Sequence, residues 1–324
     1  MADPAFGTKS TVAMDFEQSW GVDKATPDGK KVGVISNGLV GAQELIDNPT
    51  IRGDFNSVDP FNGRKSAAGD IALVPNIEVI PFVQKWLTGT LVETGAGPNY
   101  VLTSKLGSTT PPSAVVETSF DIGGSARYSK ASGVRLARVG IPFTVDGPLQ
   151  MTLGTMGKDV VVGSTPYDAS LTDWSDGAYF ENLLLAAADV KIGGASVGFV
   201  QSGQIDIDAA LFGDDYRVGG GGSRGSLVPG RYRISGTVKL VLDSVAVLAL
   251  LTGSASSLSL KWSQSVAAYF SLTLPRIFIQ KTGPVLANDG PVVVDAQFRA
   301  VYNTSDATSL ILETGTTQQA TAYA

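Results

Sequence analysis

The sequence predicts a mainly β protein built as one structural unit made twice, and three observations predict it. The first is a pair of hairpins. Residues 133–156 turn at Asp146-Gly147-Pro148, and residues 273–302 turn at Asp289-Gly290-Pro291. Asp-Gly followed by Pro sets a turn between runs of β-forming residues, which fold back as antiparallel partners. The second is that the approach to each hairpin repeats. Residues 69–90 and 236–256 both read as Gly, a short alternating strand, an apolar run at helical spacing, then Leu-Thr-Gly. Further back, residues 34–55 parallel residues 199–220. Three matching blocks in one order imply a tandem duplication. The third is composition. Among 324 residues, charged residues make up 17% while glycines number 38, a mix that suits β-rich proteins whose surface is partly used for assembly.

Taken in order, residues 1–31 are polar, with Pro4, Pro27 and Asp28-Gly29, and read as an N-terminal arm with one turn near residues 17–21. The first unit spans 32–162. Strands are expected at 31–36 and 39–46, and residues 47–69 lack any sustained period, which makes them a long loop of the kind that is either functional or disordered. A strand at 70–75 follows. Ile77, Ile80, Val83 and Leu87 recur three or four apart and predict a helix ending near Gly89, with Pro81 tolerated only in its first turn or at a kink. Strands at 100–106 and 114–121 come next. The stretch from Gly69 to Asp146 is longer than that from Gly236 to Asp289, so the first unit is expected to hold an added hairpin.

Residues 163–177 are turn-rich and form the expected linker. The second unit spans 178–313, with strands at 184–192 and 197–209, then a loop at 212–231 containing Gly219 to Gly222. A strand at 232–241 and a helix at 243–251 follow, then strands at 257–262, 267–274, 276–281, 292–302 and 309–313. Residues 314–324 are a short polar C-terminal tail, expected to be mobile at its end.

The chemistry excluded is as informative. No Cys is present, which removes disulfides and thiolate metal sites, and no His is present, which removes the commonest general base and metal ligand. The net charge of −6 argues against a surface that grips phosphates. The glycines at 219–222 lack the Gly-Lys-Ser/Thr ending of a phosphate loop. Asp206, Asp208, Asp214 and Asp215 lack the spacing of a calcium loop, and Asp206 and Asp208 lie two apart as on one face of a strand. Arg52-Gly53-Asp54 spells an adhesion tripeptide and reads better as a loop turn. Without a nucleophile elbow or a cofactor fingerprint, no enzyme, metal or cofactor is expected. Neither a signal peptide nor a bilayer-spanning stretch is visible, so a soluble chain with no membrane partner is expected.

A family resemblance follows from the order of several short motifs. They are Glu17-Gln18-Ser19-Trp20-Gly21, Val34-Ile35-Ser36, Ile51-Arg52-Gly53-Asp54 and the strand and helix from Gly69 to Leu87-Thr88-Gly89. Further on come residues 128–134, the hairpin ending at Met156-Gly157-Lys158, and residues 229–237. In this order they resemble the tail tube (major tail) proteins of bacteriophages with long, non-contractile tails. No histidine precedes the strand near Tyr100 and Ser36 lacks an acidic neighbour, both local departures.

The resemblance implies β-sandwich or barrel units, each with a flanking helix, whose hairpins join those of neighbouring subunits into a closed barrel around a channel. Rings would stack into a virion tail tube through which phage DNA passes without specific binding, with the tape measure protein and the tail terminator as partners. Six units per ring are implied. With two units per chain, three chains give pseudo-sixfold symmetry, and a hexamer is the alternative. About 24 lumen strands at ~4.7 Å spacing and roughly 40° tilt enclose a backbone diameter of about 47 Å, wide enough for a duplex.

A channel that lets DNA slide should avoid arrays of Lys and Arg. Asp121, Asp206, Asp208 and Asp295 are the lumen-facing candidates, although period-2 alternation does not say which face is the lumen. Arg52, Asp54, Phe55, Tyr216, Arg217 and Arg224, on loops in equivalent places of the two units, are the candidates for contact with the adjacent ring, together with the N-terminal arm. The alternative function is a β-rich baseplate or fibre binding protein; a glycan hydrolase working through paired carboxylates is a third class.

Overall fold

Alternation of apolar and polar residues turns most of this chain into strands. The structure, a computed structural model, describes residues 5, 7–175, 177–182, 189–196, 200–241, 253–280 and 292–324. In the first half these are β1 (Thr11–Phe16), β2 (Lys30–Val32), β3 (Ser36–Asn37), β4 (Val40–Ile46), β5 (Phe61–Leu73), helix α1 (Val79–Thr88), β6 (Val92–Ala96), β7 (Asn99–Lys105), β8 (Ala114–Ile122), β9 (Ser125–Thr144), β10 (Met151–Gly157) and β11 (Asp159–Gly163). Then come β12 (Thr172–Asp173), β13 (Lys191–Ile192), β14 (Ala195–Ser196), β15 (Val200–Asp208), β16 (Phe212–Tyr216), β17 (Arg224–Val228), β18 (Arg233–Val241), β19 (Ala255–Ser263), β20 (Tyr269–Ile279), β21 (Val293–Ala300) and β22 (Ile311–Thr316). The fold is mainly β, in sandwich-type sheets that do not close into a barrel within the chain.

The two halves pair their strands in one order, every pair antiparallel. The first runs β4–β5–β10–β9–β8 and the second β15–β18–β21–β20–β19. One ladder joins them: β15 lies along the end of β9, from Ser202 opposite Thr144 to Asp208 opposite Arg138. A second junction is β22, which pairs with β20 on one edge and β7 on the other. The added hairpin expected in the first half is β6–β7.

Helix α1 forms where the apolar spacing requires it. Asn76 Oδ1 accepts the N–H groups of Glu78 and Val79 at its start, and Pro81 sits in the first turn, where an N–H is not needed. Gly89 ends it in the left-handed conformation, φ 77°, donating its N–H to Lys85 O. The helix buries Ile80, Phe82, Val83, Trp86 and Leu87. Phe16 stacks on Phe82 with ring centroids 4.2 Å apart, and Trp86 Nε1 donates to Val134 O. Each such side chain stabilises the core by about 1.5–3 kcal/mol relative to leaving it exposed.

Several expectations are corrected. Residues 11–16 are not free arm: Val12, Ala13, Met14 and Phe16 are buried and β1 pairs with both β2 and β8. The loop assigned to 47–69 is shorter, because β5 begins at Phe61; its exposed half carries Arg, Lys and Ser and so shows no apolar period. The loop at 212–231 contains the β16–β17 hairpin. The strands expected at 267–274 and 276–281 are one strand, β20, in which Pro275 is accommodated by a register shift between Ser256 and Leu258 of β19. The tail is fixed, with Tyr323 buried against Trp174 at 5.2 Å between centroids and its carbonyl bound by Lys85 Nζ. Trp174, in the expected linker, is itself core. The helix at 243–251, the turn at 289–291 and most of the strand at 184–192 lie outside the described residues.

Candidate functional site

Six strands, β5, β10, β9, β15, β18 and β21, make one continuous sheet across both halves. Period-2 alternation sends Ile71, Leu153, Val139, Ile141, Ile205, Ile207, Val238 and Phe298 into the core. The opposite side chains form an open polar face. The register arranges them in rows: Asp70, Gly154, Arg138, Asp208 and Arg233 lie side by side, and in the next row Thr152, Gly140, Asp206, Ser235 and Arg299 do. Further along, Thr144, Ser202, Lys239 and Asp295 form a third row.

Charge on this face is balanced. Its carboxylates are Asp70, Asp206, Asp208 and Asp295, and its cations Arg138, Arg233, Lys239 and Arg299. Arg138 Nε donates to Asp206 Oδ1 at 3.1 Å, a bond that holds the guanidinium above its ordinary pKa. Gln204 Nε2 donates to the same carboxylate. Asp208 stands between Arg138 and Arg233, and Asp295 is opposite Lys239. Three expected lumen residues, Asp206, Asp208 and Asp295, therefore share one face. Asp121 does not join them, since it sits opposite Ala126 near the tip of the β8–β9 hairpin in another part of the fold. The cations of the face were missed, although Arg138, Arg233, Lys239 and Arg299 follow the same alternation that picked out the acids.

A second feature stands beyond the sheet. β4 and β5 pair as far as Ile46 opposite Phe61, and residues 47–60 form the exposed tip. Ile51 and Phe55 there are 92% and 110% exposed, apolar side chains that no described residue covers. Arg52 and Asp54 are 3.8 Å apart and half-exposed, a pair of little energetic weight.

The equivalent excursion in the second half behaves differently. The β16–β17 hairpin folds down on the base of the first: Gly222 O accepts Lys65 N–H, Tyr216 Oη donates to Lys65 O, and Arg64 lies 4.9 Å over the Tyr216 ring. Arg224 is buried and donates to Gly213 O, Ala67 O and Gly157 O. Arg217 is exposed and pairs with Asp215. Tyr216 and Arg224 are thus committed inside the chain, because a buried guanidinium needs carbonyl partners and finds them on β5 and β10. Arg52, Asp54 and Phe55 remain at the surface.

Glu17, noticed as part of a motif, has a structural task. Its Oε1 accepts Gly133 N–H at 2.6 Å, and its Oε2 accepts Gly21 N–H at 2.7 Å and the Ser113 hydroxyl at 2.5 Å. Burial pushes its pKa up against the opposing effect of these bonds. Among the described residues no cluster of His, Cys, Asp or Glu could hold a metal ion, and no helix is long and apolar enough to cross a membrane.

The family model described as "Phage tail tube protein" matches residues 7–300. No curated protein matches the chain.

Proposed function

Because the chain belongs to the phage tail tube protein family, and so is a structural component of the virion tail, we propose that its copies close into rings and that the rings stack into a hollow tube for DNA. The single observation that carries this reading is the open face of the six-stranded sheet. A wall against which a duplex must slide has to be polar, to stay wetted, and must not offer uncompensated cations, since each phosphate neutralised adds affinity by counterion release. On this face three of the four cations, Arg138, Arg233 and Lys239, lie beside or opposite a carboxylate, and the fourth, Arg299, lies opposite Ser235 at the margin. Charge compensation, rather than the uniform repulsion that an acidic chain suggests, is the property that keeps the wall from clinging.

In this reading the units at 32–162 and 178–313 each contribute one side of the wall. Three chains make a ring of pseudo-sixfold symmetry; a true hexamer is the alternative. The tube belongs to a long non-contractile tail, built around a tape measure protein and closed by a terminator. The chain performs no catalysis. Closure also removes exposed sheet edges, a hazard in any isolated subunit. Electron microscopy of concentrated protein tests the reading: long hollow tubes are expected, and discrete solid particles would overturn it.

A further inference from the structure

The β16–β17 hairpin shows how one half covers another. It follows β15, whose edge pairs with β9, and it seats on β5 and β10 at Lys65, Ala67 and Gly157. In the common strand order the counterpart of β15 is β4, and the counterparts of β5 and β10 are β18 and β21. β4 pairs only with β5 among the described residues, so its other edge is open where that of β15 is filled. The excursion after β4 is the exposed tip at 47–60. The corresponding ends of β18 and β21 open on a cavity of about 820 Å³ lined by Arg231, Arg233, Arg299 and Tyr302.

Among the described residues that cavity has no occupant of the kind the first half receives. Among the described residues the guanidinium groups of Arg231, Arg233 and Arg299 make no ion pair or hydrogen bond, Asp208 being only the cross-strand neighbour of Arg233, and Tyr302 is 58% exposed. The tip offers the complement, since it carries Asp47, Asp54 and Asp59 against the one cation Arg52, together with the exposed Ile51 and Phe55. We infer that residues 47–60 of one copy seat in the groove formed by Arg231, Arg233 and Arg299 of the next copy in the same ring, in place of the adjacent-ring contact the sequence suggests for Arg52, Asp54 and Phe55, repeating between chains the contact that β16–β17 makes within one. This rests on the reading that copies of the chain form rings. It gives Arg231 and Arg299 carboxylate partners only on assembly and Arg233 a further one beside its cross-strand neighbour Asp208, and it makes the contact heterologous, so that successive copies add in one direction until the ring closes.

The test uses the full-length chain with the photocrosslinker p-benzoylphenylalanine in place of Phe55, irradiated at assembling concentration and mapped by mass spectrometry. The expected product joins residue 55 of one copy to residues 231–233 or 299–302 of another. A product mapping to any other surface, or none between copies, overturns the inference. A charge exchange gives the second reading. The triple variant Asp47→Lys, Asp54→Lys, Asp59→Lys and the triple variant Arg231→Glu, Arg233→Glu, Arg299→Glu should each raise the critical concentration for assembly at least tenfold, and one chain carrying both sets should recover most of it. Wild-type assembly by each triple variant, or no recovery in the combined chain, overturns the inference. Tubes whose crosslinks lie elsewhere refute the groove and leave the tube standing, whereas groove-directed crosslinks in particles that are not tubes refute the tube and leave the groove.

Discussion

Gly69 and Gly236 hold the same place in the two halves. A Cβ on Gly69 would meet the backbone oxygen of Gly38 on the neighbouring strand segment, and a Cβ on Gly236 would meet that of Gln204. Each glycine is therefore a point where two strands close on each other with no room for a side chain, and the obstacle is backbone that cannot swing aside. The repeated Gly seen in the sequence has one steric cause in both halves.

Gly69→Ala and Gly236→Ala should each destabilise the subunit by about 1–3 kcal/mol through forced separation of strands. Gly69→Ala meets backbone alone, at Gly38 and Leu39, whereas Gly236→Ala meets one backbone oxygen and the Phe298 ring, which can shift, so Gly69→Ala should be the more costly. Chemical denaturation of the unassembled chain measures both; an unchanged midpoint in either would remove the steric explanation.

Glu17 makes stability depend on pH. Burial raises its folded pKa above the ordinary 4.5, so the folded chain holds that proton more tightly than the unfolded chain does. The associated stability is fully present below the unfolded value and declines as pH rises through the raised folded value. Glu117 is shifted in the same direction, first by burial. Glu17→Gln should lose Glu17's share of the slope and cost about 1–3 kcal/mol at neutral pH, because its amide NH2 faces a donor among Gly21, Gly133 and Ser113. Urea unfolding from pH 4.5 to 8 measures it, and an undiminished slope in the variant would contradict the assignment.

Tyr323 pins the C-terminus to Trp174 and the helix. Tyr323→Ala should cost about 3–5 kcal/mol, as for loss of a buried aromatic side chain. Calorimetry should show a lowered melting temperature. A change within error would mean that the last residues do not dock in solution.

Asp206→Asn with Asp208→Asn leaves Arg138 and Arg233 without facing carboxylates on an otherwise unchanged face. The Arg138 end of the ion pair is exposed and Asp206 only partly buried, so folding stability should change by no more than about 1 kcal/mol. Assembled variant should instead retain double-stranded DNA at low salt and release it as salt rises, where wild type retains none. Equal retention by both would show that charge compensation on this face is irrelevant to DNA.

Much of this was legible beforehand. Alternation marked β9, β10, β18 and β21, and the Gly89 stop marked the end of α1, because both depend on local periodicity and local backbone chemistry. β1 escaped because its short apolar run sits between polar, turn-rich flanks. The outer part of β5 escaped because residues exposed on both faces carry no period. Which face of the sheet stays open is decided by long-range packing of its other face, as where Trp86 of α1 meets β9 at Val134. That is why Asp206, Asp208 and Asp295 were found together with the unrelated Asp121, and why Arg224, bound to carbonyls far away in sequence, looked like a surface residue.

The most direct test is a cryo-electron microscopy reconstruction of the assembled protein. The expected map is a hollow tube of stacked rings whose bore is lined by the sheet face carrying Asp206, Asp208 and Asp295, with Arg138 and Lys239 compensated beside them. A solid particle, or a tube whose bore is lined by a different face, would contradict the central claim.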